Sequence, residues 1–339
     1  MRRLLSPLRL AAAGVVLLVV VLVVLVTRGS NQYLEVPDEA HPLQGLVQVP
    51  GAKPPKNGGD IYYVDVLLRP ASLLESWVPA VRPEGSDIIA RTQIVEPGIS
   101  DKERFQLDLA TMKVSQEVAS VVALRQLGYH VPIRPDGVRV VAVTSGSHAA
   151  GLVRPGDVIV AADGKPVRTR TDLAAALSRH KPGDVVNLVI RRSGRKSTVS
   201  VRTTSDSQNP KRPIIGVLPI QALHAQLPFP IKFNLRKVGG PSAGLAFALE
   251  LLEQRGRDVD RGYKVAATGE IELDGSVTRI GGIKQKTIGA RKSHVDVFLV
   301  PVDGDNAKDA KRYAHGLKII PVKTFQQALR ALATLPKKG

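Results

Sequence analysis

The chain has 339 residues, enough for two or three domains. Apolar residues make up 43%, which supports a packed core, and the absence of cysteine removes disulfides, thiolate metal sites and a cysteine nucleophile. The formal charge of +18 invites nucleic acid or an anionic membrane, but aromatics are only 4% and no nucleic-acid motif is present, so the charge reads as a solvated basic surface and no nucleic-acid partner is expected.

Leu10 to Val26 is an uninterrupted apolar run. Its 17 residues span about 26 Å as a helix, close to the thickness of a bilayer core. Arg2, Arg3 and Arg9 precede it, which predicts a cytoplasmic N-terminus and an extracytoplasmic remainder. The stretch VTRGSNQ offers no A-x-A-like cleavage site, so residues 1–27 read as a cytoplasmic tip and an uncleaved transmembrane anchor. Residues 28–58, rich in Pro and Gly, read as a linker. Ile61 to Leu68 reads as a strand, and the spacing of apolar residues over 103–127 predicts a helix ended by Gly128. Together they give an N-terminal α/β segment, 59–124, which either completes a later domain or forms a lid.

From Gly137 the pattern becomes strand, turn, short helix, strand, strand, helix, strand, with Asp163-Gly164 and Pro182-Gly183 at turns and a helix starting at Thr171-Asp172. The residues Gly137-Val138-x-Val140, Ser147 to Gly151, Gly156-Asp157-Val158-Ile159, Asp163-Gly164 and Val167 resemble a bacterial PDZ domain over 125–205. That resemblance implies a groove capturing an extended peptide by strand addition. It places the carboxylate-binding turn at Gly128, Tyr129, His130 and Val131. On local grounds alone, Gly128 is equally a helix C-cap. TTSDSQNPKR, 203–212, reads as a second linker.

Residues 237–252 read KVGGPSAGLAFALELL. Pro241 suits a first helical position, which puts Ser242 in the first turn as a cap or as a nucleophile beside unpaired amides. Gly240 to Gly244 also satisfies G-x-S-x-G, with Asp303 and His315 in order behind it. The roughly 30 residues between the PDZ-like segment and Ser242 cannot supply an α/β-hydrolase sheet, so that reading is set aside. Downstream, Tyr263–Thr268 reads as a strand and Asp274-Gly275 as a hairpin turn. Gly281-Gly282 lead into a helix starting near Ile283. Lys284 falls in that helix's first turn, where the dipole and any burial favour a neutral amine. It is a general base, or a lysine that reaches solvent.

PSAG, TGEI, GGIKQK and the strand ending in VP, in this order, resemble the proteolytic domain of Lon-type proteases over 213–335. With the anchor and the PDZ-like segment, the chain is similar to the YlbL-type Lon-domain proteins of bacteria. The resemblance implies Ser242 as nucleophile, Lys284 as base and Thr268 orienting the lysine. Gly240, Ser242 and Ala243 would supply the oxyanion donors. Two features depart from the Lon pattern. Gly239 stands where many Lon proteases have Asp, and no GxxxxGK[ST] loop occurs.

The expected fold class is α+β multidomain: an N-terminal transmembrane helix, a PDZ-like β-rich domain and a Lon-protease-like α+β domain. The expected function is a membrane-anchored, ATP-independent serine endopeptidase acting on unfolded or extended polypeptides, with their C-termini read by the PDZ-like domain, in a homo-oligomer. No cofactor and no metal are expected, since the seven histidines are scattered without HExxH. The rival is a non-catalytic PDZ adaptor of the cell envelope with a relic protease fold. A third reading, a basic protein holding nucleic acid or anionic lipid, predicts salt-dependent binding.

Overall fold

The computed structural model describes residues 7–95, 99–206, 209–235 and 238–338, with side chains from residue 11 onward. Helix α1, Pro7–Thr27, carries the apolar run, and its side chains from Val15 to Val26 are largely exposed. Among the described residues no helix is long and apolar enough to cross a membrane. Arg2 and Arg3 lie outside the described residues.

The expected linker over 28–58 is instead built into sheets. Strand β1, Gly29–Pro37, sits between β5, Val66–Ser72, and β6, Asp87–Ala90, all antiparallel. Tyr33 and Leu34 are buried in it, and the Pro/Gly composition that suggests a linker begins only at Pro37. Two short helices follow in this region, α2, Leu73–Trp77, and α3, Arg91–Ile94.

A five-stranded sheet forms the main core, in the order β2, His41–Pro42; β4, Asp60–Tyr63; β16, Lys264–Ala267; β19, Val297–Pro301; β20, Lys318–Val322. β4, β16, β19 and β20 run parallel and β2 antiparallel. Parallel strands are covered on both faces, which is why Val297 to Pro301 is apolar throughout and entirely buried. The expected strand Ile61–Leu68 therefore breaks at Val64-Asp65, and its halves join different sheets.

Helix α4, Asp101–Gln126, starts at a Ser100–Glu103 capping box and stops at Gly128, whose φ is +87°. It lies with α6, Gly244–Gln254, and α9, Phe325–Ala333, on one face of the main sheet, against Ile61, Val265 and Leu299. Helices α7, Ile283–Lys292, and α8, Asn306–Tyr313, cover the other face, against Ala266, Phe298 and Val300. Two small pairs complete this part. β3, Val47–Gln48, pairs with β15, Lys232–Phe233, and β17, Glu270–Ile271, pairs with β18, Val277–Thr278, around Asp274-Gly275.

The second sheet follows the order β11, Arg195–Arg202; β10, Val185–Arg192; β8, Val158–Ala162; β7, Ile133–Val143; β14, Val217–Ala225, with β9, Lys165–Pro166, on β8. Helix α5, Arg170–Leu177, capped by Thr169, packs on it around Leu173 and Ala176. The expected linker over 203–212 begins with a strand, β12, Thr204–Ser205, which pairs with β13, Pro213–Ile214, just after it; residues 207 and 208 lie outside the described residues. The strands of the main sheet thus lie on both sides of this second sheet in the chain, which is inserted between α4 and β15. The segment left open by the sequence, 59–124, gives β4 to the main sheet and α4 to its face.

Candidate active site

Ser242 stands in a tight turn just ahead of α6, not in the helix's first turn as expected. The helix begins at Gly244 with Ala243 as its cap. Gly240, at φ +89°, reverses the chain before Pro241. The Leu245 amide then donates to the Gly269 carbonyl at 3.1 Å, and the Gly269 amide returns to the Ser242 carbonyl at 2.8 Å. These bonds fasten the turn to the end of β16 and use the Leu245 amide and the Ser242 carbonyl, which would otherwise extend the helix N-terminally. The site lies at the carboxyl ends of the parallel strands, the usual crevice of such sheets.

The lysine that meets Ser242 is Lys286, not Lys284. Lys286 Nζ lies 2.7 Å from Ser242 Oγ. Lys284 Nζ instead pairs with Asp87 Oδ1 on β6 at 2.7 Å, with the Tyr313 ring 5.6 Å away. Positions two apart on a helix are turned by about 200°, so one helix cannot aim both at the serine. Lys286 is spaced three after Ile283 and four before Ala290, both buried, and so sits on the apolar stripe of α7. Lys284 in turn is spaced four before Ile288, also buried, so spacing alone does not choose between the two lysines.

Lys286 is 3% exposed. Burial pushes its ammonium down to about 8, while Asp65 and Glu35 pull in the opposite direction. Both carboxyls are themselves raised, chiefly by burial. Glu35 of β1 leans over the Gly282 turn, where a Cβ would stand 2.7 Å from Glu35 Oε1. His41 Nε2 lies 3.5 Å from Asp65 Oδ1 and 3.8 Å from Asp38 Oδ2. The charges around the lysine therefore come from residues 35–65, far from the motif in sequence.

Thr268 is fully buried, but its hydroxyl donates to the Ser242 carbonyl at 3.2 Å, so it holds the serine's turn rather than touching a lysine. Of the expected oxyanion donors, Gly240 is excluded because its amide donates to the Asp108 carbonyl at 2.7 Å. Ser242 and Ala243 stay in place at the mouth of α6.

Among the described residues, two clusters bring metal-ligating atoms within 4.8 Å of one another: Asp38, His41 and Asp65, and Glu253, Asp258 and Asp260. In the second, Asn57 Nδ2 and the amides of Val259, Asp260 and Gly262 already occupy carboxylate oxygens.

Gly128 to Val131 do not form a carboxylate-binding turn. The Tyr129 amide donates to the Leu124 carbonyl at 3.0 Å, which closes α4, and Val131 packs with Val121 and Leu124. The Tyr129 ring meets Phe229 edge-on at 5.6 Å, and its hydroxyl accepts from Arg255 at 3.1 Å. His130 is exposed beside this packed corner. The edge strand beside α5 is β14. Gln221 Oε1 accepts from the Arg170 amide at 3.2 Å, and its Nε2 donates to the Arg168 carbonyl at 2.9 Å. Gly216, at φ +68°, opens that strand after Ile214-Ile215. Sequence spacing missed it because β14 lies past the 203–212 segment.

Comparison with known proteins finds two families along the chain. Residues 112–203 match the PDZ domain, and residues 235–334 match the Lon protease (S16) C-terminal proteolytic domain. Lon protease of Mesomycoplasma hyopneumoniae is 37% identical over 90 residues, 26% of this chain and 10% of that protein. Lon protease of Chloroflexus aggregans is 37% identical over 102 residues, 28% of this chain and 12% of that protein. The chain thus spans about a tenth of the length of these relatives. The PDZ domain of the SdrC-like protein from Listeria innocua is 28% identical over 25% of this chain and 93% of that structure, with a TM-score of 0.23. The chain therefore carries two recognised domains, a PDZ domain and a Lon-type C-terminal proteolytic domain.

Proposed function

We propose that the chain is a serine endopeptidase with Ser242 as nucleophile and Lys286 as general base. The observation that carries this is the 2.7 Å contact between the buried Lys286 Nζ and the half-buried Ser242 Oγ. With its pKa near 8, about a tenth of Lys286 is neutral at pH 7. Ser242 Oγ attacks the peptide carbonyl carbon as Lys286 takes the hydroxyl proton. The Ser242 and Ala243 amides receive the oxyanion. Collapse breaks the C–N bond, and the Lys286 ammonium returns its proton to the leaving amine. Water then attacks the acyl-enzyme, with Lys286 again as base, and frees the acid and Ser242.

The substrates are extended or unfolded polypeptides, cut without ATP, and their C-termini add along β14 beside α5. The exposed apolar side chains of α1 serve as a membrane anchor, with the proteolytic part outside the cytoplasm. Flotation of the full chain with lipid vesicles, lost on removing residues 1–27, supports the anchor; flotation that survives the truncation refutes it.

The dyad is tested by incubating casein with the full chain in detergent, without ATP. Ser242→Ala and Lys286→Ala should each lose at least about a thousandfold in kcat. A Lys286→Ala variant that cuts like the parent removes the dyad. The adaptor reading gains only if the parent and Ser242→Ala are equally inert while peptide still binds.

A further inference from the structure

Helix α4 touches the nucleophile turn on both sides of Ser242. The Asp108 carbonyl accepts from the Gly240 amide at 2.7 Å. Ser115 Oγ donates to the Pro241 carbonyl at 2.8 Å, and Ser115 is only 4% exposed. The approach is close at both points. A Cβ on Gly239 would stand 2.5 Å from Asp108 Cβ, and one on Gly244 would stand 2.8 Å from Ser115 Oγ. The glycines flanking the serine are thus required by the neighbouring helix as well as by the turn.

The N-terminal half of α4 also packs against the second sheet. Leu107, Ala110 and Val114 meet Leu218 and Ile220 of β14 and Val141 and Ala142 of β7. One helix therefore bears on the PDZ sheet and holds the residues on either side of the serine. The Asp that the Lon resemblance leads one to expect at 239 has no room, because Asp108 fills that space with its carboxylate paired to Arg104.

We infer that α4 is the positioning element for Ser242, acting through the Ser115 hydroxyl and the Asp108 carbonyl, with the PDZ sheet as its support. The inference rests on Ser242 being the nucleophile. Pro241 and Gly240 have little freedom once both carbonyl and amide are held, so the Oγ stays at the distance from Lys286 that proton transfer needs. Ser115 does not touch the reacting atoms; it sets the backbone that carries them.

A matched pair of truncations on α4 separates positioning from general stability. Ser120 is as buried as Ser115, but its hydroxyl donates to Gln116 of its own helix at 2.7 Å. Ser115→Ala should lower kcat on a peptide substrate about tenfold, with KM and the acid limb of the pH profile unchanged, because the lysine is untouched. Ser120→Ala should keep the parental kcat. Gly239→Ala should push α4 off the turn, lower kcat about a hundredfold and speed exchange of the Gly240 amide, while β16 and β19 stay protected. Parental kcat in Ser115→Ala, or a Gly240 amide still protected in Gly239→Ala, overturns the inference. If the parent shows no Ser242-dependent turnover, the proposed activity falls, and the exchange result alone decides whether α4 holds the turn.

Discussion

Lys286 is kept near neutrality by two opposed effects. Burial removes water from the ammonium, while Asp65 and Glu35 stabilise it. The balance near 8 leaves the base mostly protonated at pH 7 and mostly neutral at pH 9. A rate that needs the neutral amine must therefore rise with pH through about 8. Ser242 was legible from PSAG, since motif and turn chemistry both mark it. The lysine was not settled by motif position, because GGIKQK offers two lysines and the helix dipole favours attention to the first. What decides between them is which face of α7 meets Ser242, a tertiary fact. Thr268 was found through the motif alone, and its hydroxyl secures the serine's carbonyl.

Helix α6 is buried along its whole length, which its run LAFALELL foretells, yet its C-terminal half carries Glu250 and Glu253 into the core. Glu250 is 2% exposed and, chiefly through burial, raised from 4.5 to about 8; Glu253 is raised to about 7. Asp60, at the start of β4, is raised to about 6 for the same reason. These groups bind protons more tightly folded than unfolded, so the linkage runs opposite to a salt-bridged carboxylate. Their contribution to stability is greatest below about 4.5 and is lost as pH rises through the folded values near 6 to 8. The melting temperature should fall between pH 5 and pH 8. Glu250→Gln keeps the oxygen that accepts from Gln254 and should be more stable than the parent at pH 8 by on the order of 3 kcal/mol. Thermal melts at the two pH values check this; a variant no more stable than the parent at pH 8 argues that Glu250 ionises without cost. Element by element, the long helices and the alternating PDZ strands were readable from period alone. β1 was not, because the Pro/Gly-rich stretch that follows it hides a strand whose partners lie elsewhere, and the run over 61–68 did not show its break into β4 and β5.

At the scale of the molecule, the order of modules along the chain differs from their order in space. The motifs place the proteolytic segment after the PDZ segment. Yet β4 enters the main sheet from before the PDZ segment, pairing in parallel with β16 about 200 residues later. Long-range parallel pairing leaves no local signal, since each strand is only a short apolar run. The same insertion puts α4 between the PDZ sheet and the serine turn and draws Glu35, Asp65 and Asp87 around α7. The proteolytic fold thus depends on residues outside 235–334, the span matched to the Lon domain.

The most direct test follows phosphonylation of Ser242 by a small fluorophosphonate, with loss of fluoride, from pH 6 to pH 10, in the full chain, Lys284→Ala and Lys286→Ala. A parental rate rising through about pH 8, retained in Lys284→Ala and lost in Lys286→Ala, is the predicted result. Loss in Lys284→Ala with retention in Lys286→Ala would contradict the assignment of the base.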